Sequence, residues 1–254
     1  MLKIIGAGLL GATLLATQTP AALAAGEAEP LMTRSWDFQG VFGRYDDAAL
    51  QRGLQVFDQV CSACHGMEYV PFRSLMEIGY TEDEVRELAS RYYVEDGPDA
   101  DGMMFERPAE PTDVWPNPWA NEVEAQLIHG AVPVDLSLVA KNRYGGADYS
   151  YSLLLGYDDE KTMELDPGQY WNAYFPGHVL SMAPPLFEGI VEYADGTEAT
   201  MEQMAADVSQ FLMWAAEPKL EERKRMGLGV LLFTITMSGV FYAMNRRLWQ
   251  DVKK

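Results

Sequence analysis

The sequence predicts a mainly α domain with long loops, followed by one C-terminal transmembrane helix. Three observations carry that prediction. Apolar residues recur at helical spacing in several stretches, and no stretch alternates convincingly as a strand. Pro98, Pro108, Pro111, Pro116 and Pro118 forbid long elements between residues 94 and 120. Residues 226–245 form a run of 20 without a charge, bounded by Arg223-Lys224-Arg225 and Arg246-Arg247. At ~1.5 Å per residue such a helix covers ~30 Å, the thickness of one hydrocarbon core.

Taken in order, the chain opens on a secretory signal at 1–24. Lys3 is its basic region, residues 4–15 its apolar core, and Ala22-Leu23-Ala24 a small-x-small cleavage site. Gly6-Ala7-Gly8-Leu9-Leu10-Gly11 matches the dinucleotide-binding glycine pattern. That pattern needs a strand–helix–strand unit after it, whereas residues 12–24 are broken at Pro20 and run into the cleavage site. The expected organisation is therefore signal 1–24, exported domain 25–222, anchor helix 223–247 and cytoplasmic tail 248–254.

Residues 25–34 read as a loose leader. Trp36, Phe38, Phe42 and Tyr45, interleaved with Gly40 and Gly43, read as an ordered aromatic lead-in. Asp46 or Asp47 caps a helix running to about residue 60, with Leu50, Leu54, Phe57 and Cys61 on one face. Gly53 on that side allows another helix to approach closely. A second helix, 81–92, opens on a Thr81/Glu84 capping pattern. Residues 121–129 and 136–142 read as helical, Gly145-Gly146 breaks the chain, and 150–156 continue as helix. An acidic loop covers 158–174. The last helix before the anchor, 199–216, buries Met201, Met204, Val208, Phe211 and Leu212.

The chemistry centres on Cys61-Ser62-Ala63-Cys64-His65. Two cysteines two residues apart, with histidine next, is the c-type haem attachment pattern. Each thiol adds to one vinyl group, the two vinyls share an edge of the porphyrin, and the following imidazole meets the iron. A Cys-x-x-Cys pair is also found as a redox dithiol or as half a zinc site, which here would draw on His129 and His178. The two cysteines are the only ones in the chain. Export agrees with haem, because this attachment is made outside the cytoplasmic membrane. The fold class is thus a c-type cytochrome haem domain with long loops. For the sixth iron position, Ser181-Met182-Ala183-Pro184-Pro185 stands out, with Tyr174-Phe175-Pro176-Gly177 stiffening the approach. Met182 is the favoured ligand and His178 its rival. The expected metal ligands are His65 and Met182.

Charge is uneven. The net formal charge is -19, yet residues 26–218 hold 10 basic against 35 acidic side chains, and 219–254 hold 8 against 3. An acidic body repels nucleic acid and anionic membrane and attracts basic partners. Glu95, Asp96, Asp99 and Asp101, with Asp158-Asp159-Glu160, are candidate docking carboxylates. Basic residues flank the apolar run on both sides, so they do not orient it. The signal and the haem do, with the body outside and the C-terminus inside.

Several segments together resemble the cytochrome c1 family: Cys61 to His65; Asp96-Gly97-Pro98, Asp101-Gly102, Met104-Phe105 and Arg107-Pro108; Pro116-Asn117-Pro118; Arg143 with Gly145-Gly146 and Asp148-Tyr149; and the stretch from Tyr174 to Pro185. Trp214-Ala215-Ala216-Glu217-Pro218, leading to Arg223-Lys224-Arg225-Met226-Gly227, resembles it too. The resemblance implies one covalent haem c in a subunit of the quinol-oxidising bc1 complex. It implies electrons received singly from a Rieske iron–sulfur subunit and passed to a soluble basic c-type cytochrome. Cytochrome b would be the membrane neighbour, in a dimeric complex at the bacterial cytoplasmic membrane, with the haem domain in the periplasm. It implies Arg143 at a haem propionate with Tyr149 nearby, and Leu153, Leu154, Phe175, Leu180 and Pro185 lining the ring. One departure stands out: where the family often reads Asn-Gly-Ala-Leu-Pro-Pro-Asp-Leu-Ser, this chain has His129-Gly130-Ala131-Val132-Pro133-Val134-Asp135-Leu136-Ser137. Contacts from that loop are in doubt, and His129 is expected at the surface or in a hydrogen bond. Two other functions remain open, a free-standing tethered shuttle and a haem enzyme or gas sensor with an open iron site.

Overall fold

The computed structural model describes residues 28–252; the signal segment and its glycine pattern lie outside the described residues. Eight α-helices are described: α1 (Asp47–Gln59), α2 (Glu82–Ala89), α3 (Glu122–His129), α4 (Val139–Asn142), α5 (Ala147–Leu155), α6 (Asp159–Thr162), α7 (Met201–Ala216) and α8 (Leu220–Leu248). A 3-10 turn, Cys61–Ala63, follows α1 directly. Asp46 caps α1 by accepting from the Ala48 N–H at 3.1 Å, and Thr81 with Glu84 forms the capping box of α2.

The centre of the domain is the crossing of α1 over α7, with α4 and α5 also packed on α7. Gly53 makes the crossing possible. A Cβ there would stand 2.2 Å from the Asp207 carbonyl oxygen and 2.7 Å from Phe211 Cβ. Asp207 itself is only 1% exposed. A buried carboxylate needs a counter-charge and hydrogen bonds. Arg52 supplies both through two nitrogens, at 2.9 and 3.2 Å, and Gln203 Nε2 adds a third contact at 2.9 Å. Phe57, Phe72, Trp115 and Phe211 fill the space around the crossing as edge-on and tilted pairs.

The domain is mainly α with long loops, as expected, and three small antiparallel sheets that no alternating pattern announced lie among the loops. β1 (Met67–Pro71) pairs with β4 (Val114–Trp115), β2 (Tyr93–Asp96) with β3 (Phe105–Pro108), and β5 (Tyr170–Trp171) with β6 (Val179–Leu180). Strands of two to five residues are too short to display an alternation. Other expectations also shift. The acidic loop contains α6, whose cap is Asp158, and β5. The helix expected at 136–142 is only the single turn α4. Part of the loose leader is tied down: Glu29 N–H donates to the Ala173 carbonyl at 2.9 Å and Met32 N–H to Ser152 Oγ at 2.9 Å. In the aromatic lead-in Trp36 and Phe38 are buried and stacked, whereas Phe42 is 82% exposed.

α8 starts four residues after α7 ends, and the junction is densely bonded. The Glu217 carboxylate pairs with both Lys141 and Arg223. Burial opposes its ionisation, but the bonds to Arg223 and Lys141 prevail and hold the carboxyl below its usual range. Tyr45 Oη lies 3.2 and 3.1 Å from the Met213 and Glu217 carbonyls, and burial raises its pKa, so it remains a donor. Lys224 Nζ donates to the carbonyls of Phe38 at 2.5 Å and Gly43 at 3.1 Å. Helix α8 is exposed along almost its whole length and has the apolarity and length to cross a membrane.

Replacing Gly53 by valine should force α1 and α7 apart. Overpacking of this kind costs about 1–3 kcal/mol, and a contact with main chain places Gly53→Val at the upper end. Circular-dichroism melting should show a clearly lowered midpoint, while Gly239→Val, on the open face of α8, leaves the midpoint unchanged.

Candidate functional site

Helix α1 delivers both cysteines at its C-terminal end. The turn is closed by Cys64 N–H and His65 N–H, which donate to the Cys61 carbonyl at 3.1 and 2.9 Å. Both thiols are free and half-buried. Burial pushes the Cys61 thiol up to about 12 and also raises that of Cys64. A reactive dithiol needs the opposite, a depressed thiol pKa. Among the described residues no three His, Cys, Asp or Glu side chains converge on a point, so the zinc arrangement with His129 and His178 does not form there.

His65 is held from behind. Its Nδ1 lies 2.7 Å from the Val134 carbonyl, which can only accept, so Nδ1 carries the proton and Nε2 is left with its lone pair. Burial lowers the His65 pKa and keeps the ring neutral. The loop that presents Val134 is pinned by its neighbours. Asp135 accepts from Glu68 N–H at 2.8 Å and from Ser137 N–H at 2.9 Å, Leu136 N–H donates to the Gly66 carbonyl at 3.1 Å, and fully buried Ser137 accepts from Tyr69 N–H at 3.0 Å. Trp119 Nε1 donates to the Cys64 carbonyl at 3.2 Å. The contact from the departing loop is therefore made by main chain, and valine in place of proline leaves it intact. His129 is corrected: it is half-buried, edge-on to Trp119 at 4.4 Å, and its Nε2 is buried without a hydrogen-bond partner among the described residues.

A second wall is built from β5, β6 and the chain beyond. Met182 is half-buried, and Tyr157 Oη donates to its carbonyl at 3.1 Å. Buried Asn172 organises this wall: its Nδ2 donates to the Leu153 carbonyl at 2.8 Å and its Oδ1 accepts from Tyr174 N–H at 3.0 Å. His178, the rival ligand, stacks on Trp171 at 5.1 Å with Nδ1 3.0 Å from the Asn172 carbonyl. The two walls meet where a Cβ on Gly130 would lie 3.8 Å from Ser181 Oγ. Leu153, Phe175, Leu180 and Pro185 are half-buried and stand outside the hydrophobic core, while Leu154 leans against it. Arg143 is exposed, and its guanidinium lies 5.7 Å from the ring centroid of buried Tyr149, whose hydroxyl pKa is raised by burial.

A model described as the Cytochrome C1 family matches residues 36–252. The chain belongs to that family. Cytochrome c1 of Rhodospirillum rubrum is 44% identical over 271 residues, covering the whole of both chains. The mitochondrial cytochrome c1 haem protein of Saccharomyces cerevisiae is 42% identical over 222 residues, 86% of this chain and 72% of the other. A protein named cytochrome b/c1, from Bradyrhizobium diazoefficiens, is 42% identical over 240 residues, 85% of this chain and 35% of its own length.

As a cytochrome c1 family member the chain is a membrane-anchored c-type cytochrome subunit of the bc1 complex, and its cofactor is one covalent haem c. The residues present fit that group. They offer two free thiols on one turn, an imidazole with Nε2 unengaged, half-buried apolar side chains, and an orphaned buried nitrogen on His129. Sequence reading missed Trp119, Val134, Asp135, Tyr157 and Asn172. Trp119 and Tyr157 act on main-chain carbonyls far away in sequence, and Val134 acts through its own carbonyl, so no local pattern marks them.

Asp135→Ala should free the Glu68 and Ser137 amides together. Hydrogen–deuterium exchange at those two amides should accelerate, with a stability loss of about 1–3 kcal/mol for the orphaned donors. Ordinary exchange protection at both positions would show that Asp135 does not hold the His65 loop.

Proposed function

We propose that the chain accepts one electron at a time from a Rieske iron–sulfur subunit and passes it to a soluble, basic c-type cytochrome, with cytochrome b as its membrane neighbour in a dimeric complex. The observation that carries the reading is the imidazole of His65, with Nδ1 committed to the Val134 carbonyl and Nε2 unengaged beside two free thiols. Cys61 and Cys64 would hold the ring through thioethers, and His65 Nε2 and Met182 Sδ would be the axial donors. When bound, the haem supplies a reversible one-electron change at its iron. Arg143 would balance a propionate, Tyr149 would sit beside it, and Leu153, Leu154, Phe175, Leu180 and Pro185 would exclude water. Tyr157 fixes the backbone that carries Met182. Orientation with the domain in the periplasm follows from the signal expected at 1–24 and from covalent haem attachment outside the cytoplasmic membrane.

Two features favour a fixed subunit over a tethered shuttle. The junction from α7 to α8 is clamped through Glu217, Tyr45 and Lys224 and offers no slack. The relative named cytochrome b/c1 supports a direct association with cytochrome b. An open iron site, as in a gas sensor, is disfavoured by the availability of Met182, whose carbonyl accepts from Tyr157 Oη.

Met182→Leu should abolish the near-infrared thioether band of the ferric protein, lower the potential by on the order of 0.1 V, and admit CO to the reduced protein. An unchanged spectrum would move the sixth ligand elsewhere, with His178 next to test.

Electrostatic docking needs a narrower test than the sequence suggested. Asp96 is bonded to Arg107 at 2.5 Å, which holds its carboxyl below the usual range, and Asp99 Oδ1 accepts from the Asp101 and Met103 amides. Glu95 and Asp101, with Asp159 and Glu160 beyond the cap residue Asp158, are better placed to act as docking charges. The second-order rate with a basic cytochrome c should fall steeply as the screening length drops to ~10 Å at ~0.1 M salt. Neutralising those four together should flatten the dependence without moving the potential. A rate indifferent to salt in the parent protein would discard the docking model.

A further inference from the structure

The turn at residues 37–44 projects two apolar side chains into solvent, Val41 at 63% and Phe42 at 82% exposure. The turn is tightly closed. Arg44 N–H donates to the Asp37 carbonyl at 2.9 Å, and a Cβ on Gly43 would stand 1.9 Å from the Gln39 carbonyl oxygen. An exposed phenylalanine on a rigid turn is not explained by packing within the domain.

Its position relative to the anchor is set by Lys224. That side chain donates to carbonyls on both sides of Val41-Phe42, those of Phe38 and Gly43. Lys224 lies two residues before the uncharged run of α8 begins at Met226. Arg44, 81% exposed, reaches Glu221 of the same helix at 4.0 Å. The turn is therefore held at the level where α8 enters the hydrocarbon.

The composition of α8 gives an independent reason. Membrane spans carry aromatic side chains at both interfaces. At its far end α8 has Phe241 and Tyr242, with Trp249 just beyond, but residues 220–232 contain no aromatic at all. The near interface lacks its aromatic on the helix, and the turn bonded to that helix presents one. Arg44 beside it and Arg225 on α8 are cations suited to lipid phosphates.

We propose that Val41 and Phe42 insert into the outer lipid interface, so that the domain stands on the membrane at two points, α8 and this turn. The inference goes beyond the electron-transfer reading and needs only that α8 lies in the membrane. A nitroxide on Phe42→Cys in the full-length holoprotein, reconstituted in vesicles of phosphatidylethanolamine and phosphatidylglycerol, tests it. Collision with oxygen and with a water-soluble nickel chelate is compared with labels at Ile235→Cys within the span and Met163→Cys, 83% exposed on the domain. The unlabelled-site parent gives the background from Cys61 and Cys64. The label at 42 should lie between 235 and 163, with oxygen contact above that at 163 and nickel contact several-fold below it. A label at 42 as nickel-accessible as that at 163 overturns the proposal. Protection from both reagents also overturns it, because a protein partner then covers the turn. If the label at 235 is itself in water, the span fails and the proposal with it. Should Phe42→Cys lose the native haem spectrum, Val41→Cys reads the same depth.

Discussion

The close crossing of α1 and α7 at Gly53 is the contact on which the rest depends. Helix α1 ends in the cysteine turn, and α7 ends in the clamp that fixes α8. A single helix contact thus connects the haem-binding turn to the membrane anchor. The ion pair of Asp207 with Arg52 lies inside this crossing. Burying a charge is costly unless its bonds are complete, so the pair restricts which registers of α1 on α7 are tolerable. Phe57 and Phe211 then fill the remaining space by shape.

Legibility in the sequence followed the range of the interactions. Helices α1, α2, α3 and α7 were readable because capping residues and apolar periodicity act within a few residues of one another. The attachment turn was readable because its chemistry requires fixed spacing. The strands were not, since each depends on a partner remote in the chain, as Met67 depends on Trp115. Met32 and Phe42 show the two sides of the N-terminal stretch. Met32 reads as loose and is bonded to Ser152, while Phe42 reads as part of an ordered aromatic lead-in and stands, exposed, on a closed turn.

Within the site, readability tracked the kind of atom involved. Side chains whose chemistry is their identity, such as Cys61, Cys64, His65 and Met182, stand out in a sequence. Those that orient them act through carbonyls and amides, as Val134, Asp135 and Tyr157 do. A valine in place of a proline at 134 looked like a loss and was none, because the accepting oxygen belongs to every residue type. The half-buried apolar side chains of the two walls have the complementary property. They are too exposed for a finished core, and a flat apolar ring would take them out of water.

The continuity of α7, the short connection and α8 has a rotational consequence. An α-helix turns ~100° and advances ~1.5 Å with each residue. Adding one residue to α8 between Arg225 and Met226 would lift the head only slightly but swing it about a quarter of the way round the anchor axis. The compass bearing of the haem turn around the membrane normal is therefore written in the residue count of this segment. Lengthening it by whole turns would preserve that bearing and change height alone.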